Sequence, residues 1–221
     1  MTIDTLSSRL AHLGLVRTLG HYAASGLAEA TGVDVFHVLV LEPPDVQDDG
    51  PVPAGVVVDR VGPESFRREM SREGWGLSPA AVEAEIAKGD ACYGALADGR
   101  LVSYLFVARE ATALDSRLVI RFDPSWAFSR WAFTHPASRG QHLHALVKRL
   151  AVRDQAATGR RGLISLVPAP NAESLRAGLR LGCRKASTVA VLRTPDRARV
   201  WHGRRCADFG LSLAVAAPRP H

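Results

Sequence analysis

The chain has 221 residues, 47% of them hydrophobic and 23% charged. That length and balance fit one α/β domain with an elaboration, and they exclude a disordered chain. The net charge of +6 is unevenly spread: residues 1–138 hold 12 basic and 18 acidic side chains, residues 139–221 hold 16 and 4, so an anionic ligand or partner is expected in the second part, either a phosphorylated cofactor or nucleic acid.

In chain order, Leu6, Leu10, Leu13 and Val16 recur at helical spacing and predict an amphipathic helix. Val33–Leu41 reads as a buried strand. Glu42–Gly55 is rich in Pro, Asp and Gly, and carries Glu42, Asp45, Asp48 and Asp49. It reads as a linker. The expected organisation is therefore an N-terminal helix and strand extension over 1–50, a domain over 51–195, and a C-terminal strand and tail over 196–221.

Val56–Val61 reads as a strand. Pro63-Glu64-Ser65 and Ser78-Pro79 each open a helix. Ala91–Ala97 and Leu101–Arg109 flank Asp98-Gly99-Arg100, a hairpin signal. Leu118–Phe122 and Ala127–Thr134 are further strands. A long helix follows from about His142 to Thr158, with Leu143, Leu146, Val147 and Leu150 as its apolar stripe and His144, Lys148, Arg149 and Arg153 facing elsewhere. Gly162–Val167 is a strand, Asn171 caps a short helix ending at Gly182, and Thr188–Arg193 is a strand. Arg199–His202 is a candidate strand, and Ala217–His221 a disordered tail. The order predicts an α/β (α+β) fold: a mixed, mostly antiparallel central sheet flanked by helices.

Cys92, Cys183 and Cys206 form no CxxC pair, which argues against a disulfide framework or a zinc site and for a reducing cytoplasm. No metal is expected. The start, Met1-Thr2-Ile3-Asp4, lacks the pattern of a secretory signal, and no apolar run nears the roughly 20 residues of a membrane span.

The chemistry-bearing stretch is Trp131–Thr158. A strand enters Pro136-Ala137-Ser138-Arg139-Gly140 and then a helix. The first N–H groups of a helix lack internal partners, and the helix dipole favours an anion there. Arg139 adds a fixed charge. By spacing alone, an ordinary strand-to-helix turn explains the stretch slightly better than a ligand site.

The stretch resembles the GNAT N-acetyltransferase superfamily, whose acyl-CoA motif is [QR]-x-x-G-x-[GA] between a strand and a helix. Arg139-Gly140-Gln141-His142-Leu143-His144 occupies it, after a lead-in Thr134-His135-Pro136-Ala137-Ser138. Asn171-Ala172-Glu173-Ser174 followed by Leu181-Gly182-Cys183 resembles the family's second segment. His142 stands where the family has its central glycine and His144 where it has Gly or Ala. Cys183 replaces a Phe. Gly178 stands where many members carry a Tyr that protonates the departing thiolate.

The resemblance implies acetyl-CoA or another acyl-CoA as co-substrate, bound at Phe133, Thr134, Arg139, Gly140, Gln141, His142, Leu143, His144, Asn171 and Ser174. Backbone N–H groups of Phe133 and Thr134 would hold the acyl carbonyl, Asn171 would reach the pantetheine, and an amine would attack the thioester directly. Positions that carry a base in some relatives are Phe128 and Arg130 here, neither of them a base. His135 and Tyr104 are candidates by type, as are Glu110 and Asp123, and a water relay serves as well. Arg130 suggests a small-molecule or peptide acceptor that bears an anion, or else a surface ion pair. Of Trp126, Phe128, Trp131 and Phe133, strand alternation puts the even-numbered pair on one face and the odd-numbered pair on the other. The leading function is acyl transfer to an amine. A non-catalytic acyl-CoA-binding or regulatory module is second, and nucleic-acid binding is last. Residues 1–50 are open to closing the acceptor site, making a homodimer, or doing neither.

Overall fold

The computed structural model describes residues 32–46, 51–70, 78–194 and 197–215. The helix expected around Leu6–Val16 and the tail Ala217–His221 lie outside the described residues. The strands are β1 (Val33–Leu41), β2 (Val56–Arg60), β3 (Ala91–Ala97), β4 (Arg100–Ala108), β5 (Thr112–Ala113), β6 (Leu118–Arg121), β7 (Ala127–Thr134), β8 (Leu163–Pro168), β9 (Arg184–Arg193), β10 (Ala198–His202) and β11 (Ser212–Val215). The helices are α1 (Pro63–Met70), α2 (Pro79–Lys88), α3 (Leu143–Ala157) and α4 (Ala172–Arg180).

Eight strands form one mixed sheet in the order β10-β9-β1-β8-β7-β4-β3-β2. Every pairing is antiparallel except β7 with β8. The expected α+β class with a mostly antiparallel sheet is therefore what the chain forms. The β3–β4 hairpin turns through Asp98 (φ 49°) and Gly99 (φ 74°), a left-handed pair that matches the twist of the flanking strands.

The N-terminal strand corrects the expected extension. β1 lies inside the sheet, between β8 and β9. Its apolar run makes this possible, because a strand with neighbours on both sides and layers on both faces needs apolar side chains throughout; Val38, Leu39, Val40 and Leu41 are fully buried. The acidic segment after it is a crossing to the far edge at β2, with Glu42 paired to Arg184 at 2.9 Å. At the other end, β10 extends the sheet beyond β9, and β11 pairs β6 in a small second sheet, β11-β6-β5.

One face of the main sheet is covered by α3 and α4 over Leu39, Tyr93, Leu105, Val107 and Ala127. The opposite face carries α1 and α2 near β2–β4 and the small sheet near β8–β9. Lys148 and Arg149, expected on the outer side of the long helix, are 5% and 9% exposed. No helix among the described residues is long and apolar enough to cross a membrane.

Candidate functional site

β7 and β8 are parallel over only three pairs: Ala127–Leu163, Phe128–Ile164 and Ser129–Ser165. Beyond them the strands part, and β7 runs on to Thr134 with its inner edge unpaired by β8. The cause lies in β7 itself. Trp131 is left-handed (φ 50°), and the β4–β7 register shifts there, between Tyr104 and Phe106. That is a bulge, which bends the strand. A left-handed conformation costs a non-glycine residue about 1 kcal/mol or more, so it must be held. Trp131 Nε1 donates to Glu85 Oε1 at 3.2 Å, and the Arg130 guanidinium lies 4.8 Å from the Trp131 ring centre.

The bulge also overturns the expected alternation. Phe133 pairs with Tyr104 and stacks on it at 5.9 Å, on the same face as Phe128, which pairs with Ala108. Trp126 and Phe128 are core, and Trp131 is 40% exposed. The backbone is redirected as well. His135 N–H donates to Val102 O of the neighbouring strand at 2.8 Å. In an antiparallel ladder the next residue then turns its amide the other way. Thr134 and, two residues back, Ala132 therefore face the fork, whereas Phe133 faces β4, where its carbonyl accepts from Ser103 Oγ at 3.1 Å. The Thr134 amide therefore opens toward the fork and the Phe133 amide toward β4. The direction of the Ala132 amide comes from the structure alone, because nothing in the sequence marks the bulge.

At the mouth of the fork a 3-10 turn, Pro136–Ser138, leads into Gly140 (φ 82°), His142 (φ 57°) and then Leu143 as the first helical residue. His142 is outside the helix, not in its first turn. It adopts the left-handed backbone that favours glycine, at the position of the motif's central glycine. Leu143 and His144 hold the first two helical N–H groups, which have no acceptor within the helix. Leu143 is buried; Gly140, Gln141 and the exposed Arg139 side chain line the approach, and Arg139 Nε donates to Thr134 O at 3.4 Å. Asn171 Oδ1 accepts the Ser174 N–H at 3.0 Å, so the cap of α4 uses both.

The other candidates separate. Tyr104 is 1% exposed and burial pushes its phenol well above the usual range, so it is not placed as a base. His135 directs Nδ1 at the Ala137 N–H (3.4 Å), which occupies the lone pair a base would offer. Arg130 does not wait for an anionic acceptor: its guanidinium is paired with Glu85 at 3.3 Å and bonded to Thr112. Lys88 bonds Asp90 (2.7 Å) and Thr112 (2.6 Å) beside them. Burial, then the neighbouring Asp90, push the Glu85 carboxyl up, and Arg130 partly opposes this. A cavity of about 420 Å³ lies on this same face, lined in part by Phe66, Asp90, Cys92 and Phe106, away from the α3 turn. At Gly178, the position the resemblance gives to the family's tyrosine, an added Cβ would meet Leu39 Cδ1 at 2.8 Å.

On the α3 side of β7 a different set meets the fork. Lys148 Nζ donates to Ser165 Oγ at 2.9 Å, and Ser165 Oγ bonds Ser129 Oγ at 2.7 Å. His144, one turn earlier, is pushed down to about 4 by burial and by Lys148.

No family model matches the chain, and no curated protein matches it. Solved structures do. One is a Drosophila protein, 16% identical, with a TM-score of 0.51 over 76% of this chain and 55% of its own. Another is a GNAT-family acetyltransferase from Novosphingobium aromaticivorans, 20% identical, TM-score 0.46, covering 84% and 66%. A third is the aminoglycoside acetyltransferase AAC(6')-Iy with a CoA bisubstrate analogue, 19% identical, TM-score 0.46, covering 57% and 89%. This chain spans just over half of the Drosophila protein. At these identities the likeness is one of fold. The chain resembles the GNAT superfamily, and the functional weight of that resemblance rests on the paired motifs.

Proposed function

We propose that this protein moves an acetyl or other acyl group from acyl-CoA to an amine acceptor. The observation that carries the reading is the fork, whose β7 arm leads through the Pro136–Ser138 turn into the N-terminus of α3. The pyrophosphate takes the Leu143 and His144 N–H groups and the Arg139 charge. The pantetheine lies between β7 and β8, and the thioester carbonyl accepts from Ala132 or Thr134 N–H, which stabilise the developing oxyanion. The amine lone pair attacks the carbonyl carbon and the C–S bond breaks. An amide and CoA thiol form, one proton leaving the amine and one reaching the sulfur. The acceptor amine gives its proton to water, since Tyr104 and His135 are not set to take it. The three thiols, all free and buried, suit a reducing cytoplasm.

Calorimetry with acetyl-CoA tests the reading. The protein should bind it, and Arg139→Ala should weaken binding by about tenfold, the worth of one charge-assisted contact. His142→Gly should keep the affinity and raise stability by about 1 kcal/mol, because the left-handed strain is relieved. Absence of binding to the unaltered protein would overturn the proposal.

A second reading, a non-catalytic acyl-CoA binder, is favoured by one observation: Gly178, where the resemblance puts the thiolate's acid, has no side chain to donate a proton. Tight binding with no product across a broad panel of amines would decide for it.

A further inference from the structure

We propose that the acyl group taken by this site ends in a carboxylate, and that Lys148 binds it. The inference rests on the acyl-CoA reading above and deepens it by naming the acyl class.

Lys148 is 5% exposed. Its ammonium donates to Ser165 Oγ, which bonds Ser129 Oγ. Ser129 and Ser165 are the last pair before β7 and β8 part, so this polar chain ends at the apex of the fork. Among the described residues, the neighbours of Lys148 supply no counter-charge. The partners are hydroxyls, and His144 stays neutral at ordinary pH because burial and Lys148 lower its pKa to about 4. No described carboxylate forms an ion pair with Lys148. Taking an ammonium out of water without a counter-ion is costly, and a ligand that carries the missing charge recovers that cost on binding.

The fork points such a ligand at it. An acyl group held by its carbonyl at Ala132 or Thr134 has its far end directed toward the narrow end of the fork. From Ala132 back to Ser129 is roughly 10 Å of strand at most, shortened by the left-handed Trp131. A succinyl or glutaryl chain and the lysine together span it. An acetyl methyl leaves the ammonium without a partner. A terminal carboxylate pairs with it and accepts from the Ser129 and Ser165 hydroxyls as well.

The test is calorimetry of CoA, propionyl-CoA and succinyl-CoA against the unaltered protein and Lys148→Met. The unaltered protein should bind succinyl-CoA about tenfold or more tighter than propionyl-CoA, the worth of a hydrogen bond to a charged group. Lys148→Met should abolish that difference and leave CoA itself bound as before. Equal affinity of the unaltered protein for succinyl- and propionyl-CoA, with CoA bound, would overturn the carboxylate proposal alone, and it needs no variant to fold. Failure to bind CoA at all would overturn the acyl-CoA reading beneath it. A Lys148→Arg variant that keeps the succinyl preference would support charge recognition over packing.

Discussion

The two faces of β7 handle buried charge in opposite ways. On the α2 side, Glu85, Arg130, Lys88 and Asp90 form a closed array in which each cation has a carboxylate. On the α3 side, Lys148 is as buried as Glu85, and its partner is the Ser165 hydroxyl. In the first array each charge meets an opposite one, though Glu85 Oε2 is buried without a hydrogen bond, and the array holds the bulge of Trp131 in place. The second is incomplete as it stands, and it lies at the apex of the fork. Charge by itself marks neither site. The absence or presence of the compensating partner separates a structural array from a candidate binding group.

The largest test of this contrast is to break the closed array. Arg130→Met removes one partner and leaves Glu85 buried with a carboxyl that has lost its main cation, at a cost of about 3 kcal/mol in denaturant unfolding. A loss under about 1 kcal/mol would show that the array is not acting as a buried pair. Next is the pH dependence on the other face. His144 is lowered in the fold from 6.5 to about 4. The unfolded chain therefore takes up the proton first as pH falls, so stability drops from about pH 6.5 down to about pH 4 and levels below that. Allowing for its partial exposure, the drop should be about 2 kcal/mol. His144→Gln should flatten that part of the stability curve; an unchanged slope would detach His144 from it. The smallest effect is Ser165→Ala, which takes one acceptor from Lys148. It should cost about 1 kcal/mol, less than Arg130→Met, because no opposite charge is stranded.

Several elements could be read directly from the residues. The Asp98-Gly99 hairpin, the Asn171 cap and the strand-to-helix turn at Arg139 each depend on backbone preferences within a few positions, so they carry local signals. His142 shows the limit of that reading. Its place in the motif pointed to a position where glycine is usual, and the left-handed backbone explains why, but the helix begins one residue later than expected.

The candidate site was legible only in part. Arg139–His144 lie at the turn into α3, Thr134 ends β7 and Asn171 caps α4. Ala132, Glu85 and Lys148 were not singled out, because their roles come from contacts across the chain. Ala132 faces the fork through a bulge that depends on Glu85, 46 positions before Trp131. Lys148 reads as a surface lysine on a helix until β8 is laid beside it.

What the sequence by itself determined is most of the described strands and helices, the α+β class and the strand-to-helix turn at Arg139, since hydrophobic period and turn chemistry act over short distances. Only the tertiary structure decided where β1 goes, that β7 and β8 part after Ser129 and Ser165, and which buried charges are paired. Those outcomes depend on strand partners and counter-ions supplied by residues remote in the chain. A sequence shows that such residues exist but not which of them meet.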